Sequence, residues 1–383
     1  MTTAVVGGAL ANKAGYGGEA WIRMSWVMGL RRLGIDAWLV EDLDSATCTN
    51  RAGAPAPAEH SYNREYFDAV VAAFGIADRA VLRVDGGAET LGAGARALAA
   101  LTDDADLVVN IGGHLPAAVL FPRARRVYVD IDPGWTQFWH ESRDPGARMN
   151  GHHAFYTIAA NIGRATCPIP TGDVAWRTIR QPVVLADWPA VRGPGPGRFT
   201  TVATWRNPFG PVGDGALGAK HHEFRRFVER ARTSTATYEL ALRIDPGDDA
   251  DRCLLAANEW SVVDAAEVAR TPADFQAYVQ GSGAEVSAVQ GVSAHTASGW
   301  FSDRSVRYLA SGRPVLVQDT GLAGHLPVGK GLLTFDSLAE ARAGEAHITR
   351  DYAEHAAAAR AIAEQYFDSD VVLSRLLDEV GVN

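Results

Sequence analysis

The chain has 383 residues, 47% hydrophobic and 21% charged, which suits two globular cores and excludes a disordered tract. Its 36 basic and 45 acidic side chains leave a net charge of −9 with no Lys- or Arg-dominated stretch, which argues against a groove that tracks a nucleic-acid polymer. No window is apolar for long enough to span a bilayer, and the start Met1-Thr2-Thr3-Ala4-Val5-Val6-Gly7-Gly8 lacks the pattern of an export signal. The three cysteines, Cys48, Cys167 and Cys253, stand far apart and form no zinc spacing, so a reducing, cytoplasmic location is expected.

Ala4-Val5-Val6 predicts a buried strand, followed by a glycine-rich loop from Gly7 to Gly18 and a helix from Ala20 to Leu33 that Gly34 ends. Ala37-Trp38-Leu39-Val40 is the next strand, with Glu41, Asp42 and Asp44 at its C-terminal edge. A surface loop over Thr47 to Glu59, a helix over Tyr66 to Phe74, a strand at Val81 to Val84 and a helix over Ala95 to Leu101 follow. Strands at Asp106 to Ile111, running into Gly112-Gly113-His114, and at Arg126 to Asp132 complete a strand–helix alternation that implies a parallel, doubly wound sheet.

Around Pro182 to Arg198 the pattern breaks, and Gly193-Pro194-Gly195-Pro196-Gly197 is the best linker. The second half restarts the alternation. Strands are predicted at Phe199 to Thr204, Tyr238 to Arg243, Glu285 to Val289 and Arg313 to Gln318, with helices over Glu223 to Arg232, Asp274 to Gly281 and Ser305 to Ala310. Gly312 and Pro314 stop the last of these. The tail from Arg350 to Val380 reads as two helices broken near Phe367-Asp368-Ser369. The division expected is residues 1–186, a linker at 187–198, a second domain at 199–350 and C-terminal helices at 351–383.

Two glycine-bearing turns are candidate ligand sites. The loop ending in Tyr16-Gly17-Gly18-Glu19 lies where open α/β sheets bind ligands, but its spacing does not match GxGxxG. A turn with packing duties alone is the plain alternative. Thr296-Ala297-Ser298-Gly299-Trp300-Phe301-Ser302-Asp303-Arg304-Ser305 opens a helix, whose free amides and the hydroxyls of Ser298, Ser302 and Ser305 suit a diphosphate. A capping motif built on Ser302 or Asp303 would have the same sequence. Gln318-Asp319 at a strand end suits sugar hydroxyls. For a general base the chain offers His114, Glu19 and Asp132, in that order. Asp130-Ile131-Asp132 has the spacing of a metal-binding acid pair but alternates like a strand, and the adjacent His221-His222 cannot face one way, so no required metal is expected. Trp135, Phe138, Trp139, Phe155, Tyr156 and the neighbouring His153 could line an acceptor pocket or belong to the core.

The stretch from Ser298 to Ser305, continuing through Tyr308-Leu309-Ala310-Ser311-Gly312-Arg313-Pro314-Val315-Leu316-Val317-Gln318-Asp319-Thr320-Gly321, resembles the donor-binding region of glycosyltransferases of the GT-B fold, in particular bacterial natural-product enzymes. It departs from them where a histidine often precedes the Gly-Trp; Ala297-Ser298 stands there, and His295 or Lys220 is a substitute. The resemblance implies two Rossmann-like domains facing each other across a cleft, an N-terminal acceptor domain and a last helix crossing back to it. It implies a nucleotide-sugar donor, UDP-glucose first, and no other cofactor. Donor contacts would come from Gly17, Gly18, Lys220, Ser298, Gly299, Trp300, Phe301, Ser302, Ser305, Gln318 and Asp319. The acceptor would be a small natural-product alcohol or nucleoside against Trp135, Phe138, Trp139 and His153, attacked by direct displacement with inversion, retention being the rival outcome. Homodimerisation is left open. A sugar-nucleotide 2-epimerase of the same fold and a bilobed binding protein are the alternatives.

Overall fold

The computed structural model describes residues 1–191, 195–206, 209–210, 212 and 217–382. Two sheets organise them. The first has the order β4-β3-β2-β1-β5-β6-β7-β8, from β1 (Thr3–Gly7), β2 (Asp36–Leu43), β3 (Ala80–Val84), β4 (Glu89–Leu91), β5 (Leu107–Ile111), β6 (Arg125–Asp130), β7 (Ala154–Thr157) and β8 (Trp176–Thr178). Its strands pair in parallel except for β4, which turns back along β3. The second has the order β11-β10-β9-β12-β13-β14, from β9 (Arg198–Thr204), β10 (Thr237–Arg243), β11 (Ser261–Asp264), β12 (Ala284–Ser287), β13 (Val315–Gln318) and β14 (Leu332–Phe335), and is parallel in every pairing described.

The central strands are continuous apolar runs because helices cover both faces. Val5, Val6, Val108 and Val109 in the first sheet and Leu240, Ala241, Val315 and Leu316 in the second are fully buried. The predicted strands of both halves are present; β4, β7, β8, β11 and β14 are additions, edge or near-edge strands of only three or four residues. The Pro/Gly run expected as a linker begins with Gly193-Pro194, outside the described residues.

The helices that concern the site are α1 (Gly17–Arg32), α2 (Trp135–Glu141), α3 (Lys220–Arg226), α4 (Pro272–Gln280), α5 (Asp303–Ala310), α6 (Tyr352–Tyr366) and α7 (Ser369–Val380). The one long helix predicted over Glu223 to Arg232 is α3 followed by a tighter turn at Val228–Thr233. α7 lies on α1: Arg32 pairs with Asp370, and a Cβ on Gly29 would fall 2.5 Å from Leu373. Helix α1 also touches the second half, where Trp21 Nε1 donates to the carbonyl of Pro272 and buried Arg307 donates to the Trp21 carbonyl and Ser25 Oγ.

The acid at the end of β2 is consumed locally. Buried Glu41 accepts the backbone N–H groups of Leu10, Ala11 and Asn12 at 2.7–2.8 Å, which folds the glycine-rich loop down over the strand edge.

Candidate active site

The C-terminal edges of both sheets open onto a cleft of about 860 Å³ between the two halves. This is where open α/β sheets bind ligands, because crossover connections diverge there and helix N-termini point inward.

The wall from the first half is set by a buried carboxylate. Asp130, at the end of β6, accepts from Thr136 Oγ1, Gln137 Nε2 and Thr157 Oγ1 at 2.8 Å each, and from the Asp132 amide at 3.0 Å. These bonds hold the turn from β6 into α2 and set Asp132 on the cleft wall. Burial within the cleft, then the charges of Glu19 and Asp130, push the Asp132 carboxyl up to about 7, with Lys13 and Arg23 opposing. Its side chain is open to cleft water, which screens those charges until a ligand displaces it. Glu19 also lines the cleft but is tied to Arg23. Burial pushes its carboxyl up, and Arg23 and Lys13 more than offset this, holding it below the usual carboxylate range.

His114, beyond β5, lies beside Arg148, whose guanidinium is 2.9 Å from His114 Nδ1. Burial, then the charges of Arg23, Arg148 and Lys13, depress the imidazole to about 3. Trp135 and Trp139 face the same space; Phe209 from the second half packs against them at 5.7 and 4.9 Å.

The wall from the second half is cationic. Lys220, at the start of α3, is buried, and its ammonium forms no hydrogen bond or ion pair with the described residues. Burial, then the charge of Arg304, pull it down to about 7. Arg304 is spread over Glu285, Ser287 Oγ and the Val202 carbonyl. Arg206 is bound by Asp248. Ser302 precedes α5 and its side chain does not cap the helix, so the first-turn amides lack a side-chain acceptor. Burial raises the carboxyl of Asp303 in that same turn.

The sequence-predicted residues divide in two. Glu19, His114, Asp132, Gly17, Gly18, Lys220, Trp300, Ser302, Trp135 and Trp139 line the cleft. Ser298 and Gly299 do not. They join the halves: the Asn161 amide donates to the Ser298 carbonyl at 2.9 Å, the Ala160 amide to the Gly299 carbonyl at 3.3 Å, and Ala159 bridges to Trp300. Gly299 has φ +73°, and a Cβ there would lie 3.0 Å from the Asn161 amide, so the glycine serves this joint. Phe301 packs on Phe367 in the core, and Ser305 is on a buried face of α5. Gln318 donates to Glu223 at 2.6 Å and accepts from the Val289 amide, which leaves its amide occupied away from the cleft. Asp319 accepts from the amides of Gly321 and Leu322. Phe138 packs with Ala159, Ile162 and Cys167, and His153 is held by Arg126 at the opposite edge of the sheet. Phe155 contacts Tyr128 and Trp176, and the Tyr156 ring is buried.

Gly17 reaches the cleft edge for a steric reason: its amide donates to the Ala269 carbonyl, and a Cβ would sit 2.1 Å from the Thr271 carbonyl oxygen. Arg243, from the end of β10, closes the same seam, lying 3.8 Å over the Tyr16 ring and donating to the Gly15 carbonyl. Sequence reading missed Arg206, Arg243, Arg304, Lys13, Arg23 and Arg148. Each is an isolated basic residue that only the tertiary fold brings to the cleft. Among the described residues no cluster of His, Cys, Asp or Glu could hold a metal ion, and no helix is long and apolar enough to cross a membrane.

No protein-family model and no curated protein sequence matches the chain. Solved structures do, at low identity. An alpha-glucosyltransferase in complex with UDP and a 13-mer DNA superposes with a TM-score of 0.60 and 10% identity, over 100% of this chain and 99% of that one. HepE of Anabaena, in complex with UDP-glucose, gives 0.58 and 13% over 100% of both chains. AviGT4, a glycosyltransferase involved in avilamycin A biosynthesis, gives 0.52 and 16% over 100% and 97%. The chain has the GT-B fold. In that frame the two sheets are its two Rossmann-like halves, and the cleft described above is the space between them.

Proposed function

We propose that this GT-B protein is a glycosyltransferase that moves a hexose from a nucleotide sugar, UDP-glucose first, to a hydroxyl of a small acceptor. The observation that carries the proposal is Lys220 on the wall from the second half. Lys220 is a largely buried residue that lines the cleft, its ammonium without a hydrogen-bond partner among the described residues, beside Arg304 and the uncapped start of α5. Desolvation disfavours the charged form of this lysine, and an anion beside it would restore that form; a diphosphate fits that requirement. UDP and UDP-glucose are bound by the structural neighbours HepE and the alpha-glucosyltransferase, which supports the same ligand class here.

Asp132 is the base we favour. Its carboxyl is raised to about 7, close to working pH, whereas Glu19 is held low by Arg23 and His114 is too hard to protonate. In this reading Asp132 takes the acceptor's hydroxyl proton as the oxygen attacks the anomeric carbon. The bond to the diphosphate breaks, and Lys220, Arg304 and the α5 amides stabilise the departing charge. Attack from the face opposite the diphosphate inverts the anomeric carbon. Retention is the second reading, favoured by the alpha-glucosyltransferase among the neighbours. Proton NMR of the product's anomeric coupling separates the two.

The test is direct. Purified protein is screened by thermal shift against UDP, dTDP and GDP sugars and then incubated with the stabilising donor and a panel of small alcohols. A raised melting temperature and acceptor-dependent release of the nucleotide diphosphate are expected. Interconversion of the sugar nucleotide without acceptor would replace this reading with an epimerase, and binding without any turnover would replace it with a ligand-binding protein.

A further inference from the structure

The positive charge of the cleft is more than the donor needs. On the wall from the first half, Lys13 and Arg148 form no ion pair with any described residue, and both line the cleft near His114. Arg23 joins them; its Nη1 is matched by Glu19, while its buried Nε has no hydrogen-bond partner among the described residues.

His114 belongs to the same group. A guanidinium has only donors, so the 2.9 Å contact from Arg148 makes His114 Nδ1 the acceptor and leaves the ring hydrogen on Nε2. With cations around it the ring stays neutral, and it offers a donor rather than a base. Arg148 is held in an uncommon backbone state, at φ +50° after the turn Pro145–Ala147. A non-glycine residue rarely keeps that conformation unless the surroundings fix it. Here Gly113 permits it: a Cβ on Gly113 would lie 2.6 Å from the Arg148 carbonyl. A chain of net charge −9 thus keeps Lys13, Arg148 and His114 on one cleft that Trp135 and Trp139 also line, with both cations close enough to act on the imidazole.

We propose that Lys13, Arg148 and His114 Nε2–H form a subsite for an anionic group, a carboxylate or a phosphate, carried by the acceptor. This rests on the glycosyltransferase reading and adds the acceptor's chemical class. The same anion could instead sit on the donor sugar, as in a nucleotide uronate, so the experiment separates the two sources.

Protein saturated with UDP is titrated by calorimetry with inorganic phosphate and with 4-hydroxybenzoate, using 4-hydroxybenzyl alcohol as the neutral control. Saturable binding of an anion is expected, with the neutral control at least tenfold weaker. Lys13→Ala and Arg148→Ala should each weaken the anion at least fivefold while UDP affinity stays within twofold. His114→Gln, which keeps a side-chain N–H donor, should retain more of the anion affinity than His114→Ala. No anion binding to the UDP-filled protein, or equal binding to the Lys13→Ala/Arg148→Ala double variant, overturns the proposal. So does a large loss of UDP affinity in those variants, since the cations would then serve the donor phosphates. Comparison of UDP-glucuronate with UDP-glucose completes the set. If the uronate binds better and the variants abolish the difference, the charge is read on the donor and the acceptor subsite is wrong. Failure of UDP itself to bind would instead strike the glycosyltransferase reading.

Discussion

Lys220 gives the sharpest quantitative expectation. Desolvation, then the charge of Arg304, pulls its ammonium down to about 7, so with that value the free protein loses the charge across neutral pH. A diphosphate against the ammonium restores the charged form. Donor binding should therefore take up about half a proton at pH 7 and about 0.9 at pH 8, and affinity should fall by about 25-fold between pH 6.5 and 8.5. The sign follows from the direction of the shift: the binding-competent cation is present below pH 7 and lost above it. UDP-glucose is the right probe, because its diphosphate is esterified at both ends and does not titrate in this window. Calorimetry in two buffers of different ionisation heat reads the proton uptake directly. Lys220→Met should weaken binding by about 1.5–3 kcal/mol at pH 6.5, the worth of a hydrogen bond to a charged group, and should flatten the pH dependence. A wild-type affinity that is level from pH 6.5 to 8.5, or a Lys220→Met protein that keeps the slope, would refute the role given to this lysine.

Asp132→Asn should lower turnover by about 10²–10⁴-fold with donor affinity unchanged, and should abolish a rise in kcat with pH measured at saturating donor, where the opposing loss of the Lys220 charge does not enter; stopped and coupled assays across pH 5.5–8.5 check both. Ser302→Ala should cost about 1 kcal/mol of donor binding, roughly fivefold, if its hydroxyl joins the α5 amides on the diphosphate. Gly17→Ala places a Cβ 2.1 Å from a backbone carbonyl of the second half, so the seam must open; a loss of about 1–3 kcal/mol in denaturant unfolding is expected. Asn161→Ala removes the side-chain bonds to the carbonyls of Ala297 and Gly321 at 2.7 and 3.1 Å, and should lower stability by a similar amount, about 1–3 kcal/mol, while leaving the cleft walls chemically intact.

The alternation of strand and helix was legible because buried parallel strands must be near-continuous apolar runs, and Asp106 to Ile111 or Arg313 to Gln318 are hard to read otherwise. Edge strands such as Trp176–Thr178 were not, since one face and one side of each are free and the apolar signal is diluted. The glycine turns were legible as special backbone but not as to purpose. Gly17 and Gly299 were expected to admit a ligand; in the structure the close neighbour at each is protein, the Thr271 carbonyl at Gly17 and Asn161 at Gly299. The same sequence signal, a residue without a Cβ at a helix start, answers any close approach, and only the fold says what approaches. Gln318 illustrates a second blind spot. An amide at a strand end could hold a sugar, but Glu223, 95 positions earlier, takes it first.

The histidine shows why electrostatics decide roles that residue type cannot. His114 was the leading base on identity and position, and Asp132 came third. On the proposed reading the order reverses: burial, then the charges of Arg23, Arg148 and Lys13, oppose protonation of the imidazole, while burial, then the charges of Glu19 and Asp130, favour protonation of the Asp132 carboxyl against Lys13 and Arg23. The two groups line the same cleft and share Lys13 and Arg23 as neighbours, but Asp132 also has Glu19 and Asp130 beside it and His114 has Arg148. In the proposed reading the acceptor's proton goes to Asp132 and an anion on the acceptor to Lys13 and Arg148. That arrangement can orient an acceptor with its hydroxyl at Asp132 and its charged end at Arg148, a polarity that a neutral aromatic pocket built from Trp135 and Trp139 alone would not supply.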